Sequence, residues 1–453
     1  MVMLSQIAAV FIFLAMFITI ITNKVERYIP ALVGGVLVIL VVFLGLMHAP
    51  EAAIETLNVH SIFTPEFWFP GPEASESSSG VNWTTIIFIA GMMYMVEGMA
   101  EAGFFRWLCM ELAKLVRFQV MPLFLAFMVL SAVLAMFIDS ITVILFLAAI
   151  SIELAHMLKF DPVPMIIAEI FTANLGGAAT MSGDPPNIIV GTSLGFTFFD
   201  FLSNTGLIVL VSLVVVIAFF YVVCRKNFQT SHDQRSRDIQ FVAPKIRIHD
   251  KFTFGASCVI FLLSVVLLVT HAATGLAVCT IGVIAAGLTA ITSHKVALKL
   301  LKRLDWRTLL FFIGLFIVVG GMEQTGVLSI IADFIASMAQ GHLVAVILII
   351  LWVSAIASAF VDNIPFAATM VPVIQSLAAT QGFDLETLAW ALSLGTDVGG
   401  NGTPIGASAN VVGSSVAARE GHPFGWGRYC KLAVPATLLT LVVCSLCLVI
   451  RYT

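Results

Sequence analysis

The chain has 453 residues, 60% of them hydrophobic and only 11% charged, with a formal net charge of −4. That balance excludes a soluble domain and reads as an integral membrane protein. The net charge itself points to no partner, and no nucleic acid is expected.

A bilayer span takes about 20 apolar residues. Spans are predicted near 4–22, 29–47 and 84–105. The first has no basic n-region and ends at Asn23-Lys24 without a small-residue cleavage site, so it is expected to stay as a span. The loop 48–83 carries FWFPGP and then SESSSG, expected to form an interfacial aromatic anchor and a flexible turn. The apolar stretch 120–157 is split by Asp139 and predicts a hairpin; 163–193 is long but broken by Gly, Pro and polar residues. A span near 204–224 closes the first half, 1–225. A mixed-charge cytoplasmic linker, 226–251, carries no motif. The same order then returns in 252–453: spans near 252–270, 274–292 and 308–325, a hairpin 343–380 split by Asp362, a broken helix 386–416 and a span near 432–450. Seven cysteines show no CxxC or Cys/His spacing, so no disulfide framework, metal site or cofactor is expected. His48, His271 and His294 stand at span ends as interfacial residues.

The second half repeats the first at an offset of 223 residues, the distance from Asp139 to Asp362. SAVLAMFIDSI (131–141) lies over SAIASAFVDNI (354–364), and NLGGAATMSGDPPN (174–187) over DVGGNGTPIGASAN (397–410). Thr85, Gly91, Gly98 and Gly103 match Thr308, Gly314, Gly321 and Gly326. A duplicated membrane protein with interrupted helices in matching places is the signature of a secondary transporter.

Lys and Arg cluster in alternate loops: 24–27, 106–117, Lys159, 225–251, 295–307 and 419–431. The positive-inside rule places these in the cytoplasm and both termini outside. Each half then has five crossings, an odd number, so the second half is inverted relative to the first. The predicted fold is an all-α polytopic membrane protein of two inverted repeats, each with one re-entrant hairpin and one broken helix. The hairpin tips are expected to meet near the midplane.

An Asp at the centre of a span costs roughly 2.5–3.5 kcal/mol. The tips Asp139-Ser140-Ile141-Thr142 and Asp362-Asn363-Ile364-Pro365 offer carboxylates, hydroxyls and an amide, all suited to a hard cation or a proton. The same aspartates are also expected to cap the helices that follow them. Asp184 and Asp397 each occur in one half only, opposite Ala407 and Asn174, and add charge to the coupling site. Asp139, Ser140, Thr142, Asp184, Asp362, Asn363 and Asp397 are therefore the candidates for the coupling ion or proton. In the broken helices, Gly176-Gly177 and Gly399-Gly400 are expected to permit unwinding, and Pro185-Pro186 to start a new helix. Their half-helix N-termini would point at the midplane. Asn174, Gly177, Thr180, Asn187, Gly400, Asn401, Thr403, Ser408 and Asn410 are the candidate substrate-binding residues. Glu169 is a second candidate for carrying a proton. Glu97 and Glu101 share one helix face, with Glu101 near the cytoplasmic end and expected to be solvated.

No Lys or Arg lies in either hairpin or either broken-helix core. A dicarboxylate would meet buried aspartates with only helix dipoles to offset the repulsion, each worth about half a charge. A cation, or a neutral solute exchanged for protons, fits better. No nucleophile–base pair or nucleotide loop suggests an enzyme. An ion channel is the competing class, and opposed hairpins that stop at mid-depth suit alternating access better.

GGAATMSGDPPNIIVG, DNIP and GGNGTPIGASANVV resemble the ion transporter superfamily. The similarity is to the branch holding arsenite efflux pumps, NhaD-type sodium/proton antiporters and the melanosomal P protein, and it covers nearly the whole chain. In dicarboxylate relatives the tips carry Ser-Asn-Thr, which binds sodium and substrate carboxylates; the aspartates here depart from that pattern and weigh against citrate or succinate. The resemblance implies a homodimer, a scaffold part and a transport part, and an elevator movement. Proton-coupled efflux of arsenite or a similar neutral hydroxide is expected, with sodium/proton antiport and coupled carboxylate transport as alternatives. The implied place is a bacterial inner membrane.

Overall fold

Two glycines at the repeat offset fix how the first group of helices packs. The computed structural model describes residues 2–22, 24–70, 80–228, 250–339 and 342–453. Residues 229–249 of the expected linker and most of the SESSSG turn lie outside the described residues. The chain opens with α1 (Val2–Ile21) and α2 (Tyr28–Leu37), the latter continued as a π-helix over Val38–Leu46. Short helices α3 (Pro50–Leu57) and α4 (Pro65–Trp68) lead to α5 (Trp83–Glu101). The corresponding group in the second half is α12 (Lys251–Thr274), α13 (Val278–Thr292), α14 (Ala297–Arg303) and α15 (Trp306–Gln324). Helix α5 packs on α13, and α15 on α2. A Cβ on Gly91 of α5 would lie 2.3 Å from the Gly282 carbonyl oxygen, and one on Gly314 of α15 2.5 Å from that of Ala31. Both matched glycines are therefore points of backbone contact between helices.

The second group begins with α6 (Phe104–Leu115), α7 (Val120–Ala135), α8 (Ser140–Leu158), α9 (Val163–Gly177), α10 (Pro185–Leu194) and α11 (Phe198–Phe228). It continues with α16 (Val327–Ala339), α17 (Leu343–Phe360), α18 (Asn363–Gln381), α19 (Leu385–Gly400), α20 (Ser408–Arg419) and α21 (Trp426–Tyr452). Every regular element among the described residues is helical. Each Asp-split stretch is a helix pair (α7/α8 and α17/α18), and each interrupted stretch is two half-helices (α9/α10 and α19/α20).

Three expectations need correction. The span placed at 274–292 starts at Val278, because Gly275 is left-handed (φ 66°) and ends α12 at Thr274. The span placed at 84–105 stops at Glu101; after the left-handed Gly103 a separate amphipathic helix, α6, begins. Its counterpart α16 follows the left-handed Gly326 in the same way. Finally, the paired glycines at the helix breaks do not supply unusual backbone angles, since none has positive φ. They are small because a Cβ on Gly176 would meet the Ala132 oxygen at 2.2 Å and one on Gly399 the Ala355 Cα at 2.3 Å. Close seating of α9 on α7 and α19 on α17 demands them.

Burial runs opposite to polarity. Nine described helices are long and apolar enough to cross a bilayer. Helix α1 leaves Met3, Phe11 and Ile18 exposed at 74, 70 and 61%, a face made for lipid. The polar half-helices α9, α10 and α19 are almost wholly buried. Irregular, polar backbone sits where protein, not lipid, surrounds it. The aromatic segment before the SESSSG turn is tied down: the Trp68 carbonyl accepts from Ala277 N (3.2 Å) and Thr280 Oγ1 (2.8 Å) at the start of α13.

Candidate functional site

Each hairpin turns at an aspartate that caps the next helix. Asp139 accepts from Thr142 N at 3.3 Å, and Asp362 from Ile364 N at 3.2 Å. Thr142 Oγ1 adds a 3.4 Å bond to the same Asp139 oxygen. Beyond capping, the two differ. Asp139 Oδ1 is buried and has no hydrogen-bond partner among the described residues. It stands beside a cavity of about 40 Å³ lined by Phe88, Met92, Ser182 and Thr308. Asp362 Oδ2 accepts from Arg27 Nη1 at 2.6 Å and from Ser408 Oγ at 2.9 Å. It borders a cavity of about 370 Å³ that Glu26, Asp305, Arg307 and Thr308 also line.

Asp184 lies between the tips. It is buried at the N-cap of α10, with its oxygens turned across the molecule instead of onto its own helix. Oδ1 accepts from Ser140 Oγ at 2.6 Å and Oδ2 from Asn363 Nδ2 at 2.8 Å. One carboxylate thus joins the hairpin tips of both halves, which the matching Ala407 has no group to do. Asp397 is fully buried in α19, and neither of its oxygens has a hydrogen-bond partner among the described residues. Among the described residues, Arg27 is the one basic side chain paired with any of these four.

The breaks are braced twice by the same bonds. Thr180 Oγ1 donates to the Met136 carbonyl and Thr403 Oγ1 to that of Ala359. Asn187 Nδ2 donates to Gly177 O (2.9 Å) and Thr180 O (3.3 Å); Asn410 Nδ2 donates to Gly400 O (2.7 Å) and Thr403 O (2.8 Å). Ser393 Oγ donates to Asn187 Oδ1. Asn174 Nδ2 donates to Asn401 Oδ1 and Asn410 Oδ1, both at 2.9 Å, and ties α9 to the second break. In this conformation the threonines and asparagines chosen as substrate groups therefore satisfy backbone and one another. The oxygens left over belong to Asp139, Asp397 and Asn174. Carboxylate, hydroxyl and amide oxygens in a dry, net-negative setting can hold a proton or a hard cation.

Glu169 is buried apart from this cluster; Ser151 Oγ donates to Oε1, and Oε2 has no hydrogen-bond partner among the described residues. Glu101, expected to be solvated, is exposed and pairs at the surface with Lys299 at 2.6 Å and Arg303 at 2.9 Å. Arg27, Ser393, Asp305 and Thr308 were not among the sequence candidates for the site. For Thr308 the signal was its match to Thr85; Arg27 stands 335 residues from its partner, and nothing local marks it.

Buried, interrupted polar helices beneath a lipid-facing apolar shell define a polytopic membrane transporter. The chain belongs to the citrate transporter (CitMHS) family, which matches residues 17–395, and so to the ion transporter superfamily that its motifs resemble. It is 30% identical over 451 residues to an uncharacterized transporter of Mycobacterium bovis, with 99% of each chain covered. It is 29% identical over 449 residues to a 46 kDa membrane protein of Mycobacterium leprae, again with 99% of each covered. To the P protein of Homo sapiens it is 26% identical over 454 residues, spanning 82% of this chain and 54% of that one. Among solved structures, Neisseria gonorrhoeae MtrF, described with a class of antimetabolite efflux pumps, superimposes with a TM-score of 0.60 at 13% identity, covering 90% of this chain and 84% of that one. The Alcanivorax borkumensis YdaH transporter gives 0.53 at 16% identity, covering 81% and 84%. These two likenesses are of fold.

Proposed function

We propose that the protein is a secondary active transporter that exports arsenite or a similar neutral hydroxide in exchange for protons. The observation that carries this reading is Asp184, held between Ser140 and Asn363 and flanked by carboxylates with unpartnered oxygens. Asp139, Ser140, Thr142, Asp184, Asp362, Asn363 and Asp397 would form the coupling site. The polar residues of the breaks would meet substrate once their braces rearrange. The family's printed name is citrate transporter, but a tricarboxylate would face four aspartates whose nearest cation, Arg27, is already paired. Sodium/proton antiport is the second reading, favoured by the all-oxygen donor set. The ion pairs Arg307–Glu26, Lys299–Glu101 and Arg428–Asp161 join loops assigned to the cytoplasm, which supports a shared face for those loops. An elevator movement, a homodimer and a bacterial inner-membrane location belong to the same proposal.

The test uses purified protein in proteoliposomes with an imposed pH gradient and an internal pH dye. Arsenite, antimonite, sodium, lithium and citrate are added in turn. One solute should dissipate the gradient, and Asp139→Asn or Asp362→Asn should stop it without loss of expression. An Asp362→Asn protein that still transports with unchanged pH dependence would remove that residue from the mechanism. Current flowing only downhill, with no coupled movement, would put the channel reading in front.

A further inference from the structure

We propose that Arg27 is a tethered cation that seats on Asp362 in this conformation and latches the second hairpin and α20 to the first group of helices until solute or conformational change displaces it. The inference rests on the transporter reading above. Arg27 sits in the turn between α1 and α2 and belongs to the first group; Asp362 and Ser408 belong to the second. One Nη1 donates to Asp362 Oδ2 at 2.6 Å and to Ser408 Oγ at 2.7 Å, and Ser408 closes the triangle at 2.9 Å. The side chains are 35% and 12% exposed, so the pair is partly desolvated and yet open to the adjoining cavity. The other charges there are occupied. Arg307 pairs with Glu26 at 2.6 Å, and Asp305 accepts from Thr308 Oγ1 at 2.5 Å. That leaves Arg27 as the counter-charge for Asp362.

The contrast with the first half carries the point. Asp139 holds the matching position, yet its Oδ1 has no hydrogen-bond partner among the described residues. The turn that corresponds to Arg27's, between α12 and α13, reads Gly275-Leu276-Ala277 and has no charge to offer. The aspartate of one hairpin is thus latched by a basic side chain of the chain itself, and that of the other has no such cation among the described residues. A guanidinium at 2.6 Å from a carboxylate holds the place a small cation would take, so loading and latching at Asp362 exclude each other.

A cysteine-depleted chain carrying Val411→Cys tests this, because Val411 lines the cavity and is 38% exposed. Its rate of reaction with a membrane-impermeant maleimide, without solute, reports how much of the protein holds the open cavity. R27Q should lower that rate about fivefold to tenfold, as expected for a partly buried pair, while R27K should keep it near the starting value. D362N should lower it as far, and R27Q/D362N no further, because both remove one contact. An unchanged or faster rate in R27Q, or additive losses in the double variant, would overturn the latch. The dye assay separates this from the parent reading. A wild-type chain inert to every solute, whose labelling still falls in R27Q and no further in the double variant, sinks coupled transport and leaves the latch standing.

Discussion

Asn187 and Asn410 hold the two helix breaks in shape by the same device. Each amide reaches back to two carbonyls of its own loop; Thr180 O and Thr403 O also accept from Gly183 N and Gly406 N, while Gly177 O and Gly400 O rely on the amide. Asn410 also accepts from Asn174. Asn410→Ala removes two donors and one acceptor from a dry site, at about 1–3 kcal/mol for each group left unpaired. Gly400 O is the group left without a donor, so a loss of about 1–3 kcal/mol is expected. The check is thermal unfolding in detergent, with the exposed Ser415→Ala as a control expected to stay within about 0.5 kcal/mol of wild type. Equal midpoints for Asn410→Ala and the control would show that the amide braces nothing. The motifs GGAATMSGDPPN and GGNGTPIGASAN exposed these residues in the sequence, because polar groups in an apolar span stand out. Their present role as braces was not legible, since it depends on which carbonyls the break turns inward. Arg27 was less legible still: it counted toward orientation, and only the folded chain brings it to Asp362.

At the scale of whole elements, the interruptions were readable and the packing was not. Asp139 and Asp362 divide their apolar stretches at the helix starts, and Pro185-Pro186 begins α10. The amphipathic α6 and α16 were missed because their apolar residues run on from the preceding span; the matched Gly103 and Gly326 were the available signal. Gly91 and Gly314 matched as well, and their reason appears only when α5 meets α13 and α15 meets α2. A side chain at Gly314 would press on the Ala31 backbone, which cannot rotate away as a flexible side chain could. Gly314→Val should therefore destabilise the fold by about 1–3 kcal/mol through overpacking. Gly287→Ala, where a Cβ meets nothing within 4 Å, should not. Unfolding midpoints of the two variants decide it, and equal values would mean that the α2–α15 contact is slack.

Across the whole molecule the two halves are copies that sit differently. At one end, the N-terminus of α5 is docked on α10: Asn82 Nδ2 donates to Thr192 Oγ1 at 2.9 Å and Ser193 Oγ at 3.2 Å, and Thr85 Oγ1 lies 2.7 Å from Thr192 Oγ1. The repeat offset carries these residues to Asp305, Thr308, Ser415 and Val416. There the contact is missing, and Thr308 lines the open cavity beside Asp362 instead. Matching parts closed at one end and open at the other suit the alternating access proposed above, in which the second state would exchange the two ends. On that proposal the Thr85–Thr192 contact breaks in every transport cycle. In a cysteine-depleted chain, the pair Thr85→Cys and Thr192→Cys places two thiols where the hydroxyls now touch. Oxidation should join them and reduce solute-driven dissipation of the pH gradient to about a tenth or less, and reductant should restore it. Each single variant should transport as the parent does under both conditions. If the cross-linked protein keeps its full rate, α5 and α10 do not part during transport, and the solute moves without the exchange of ends.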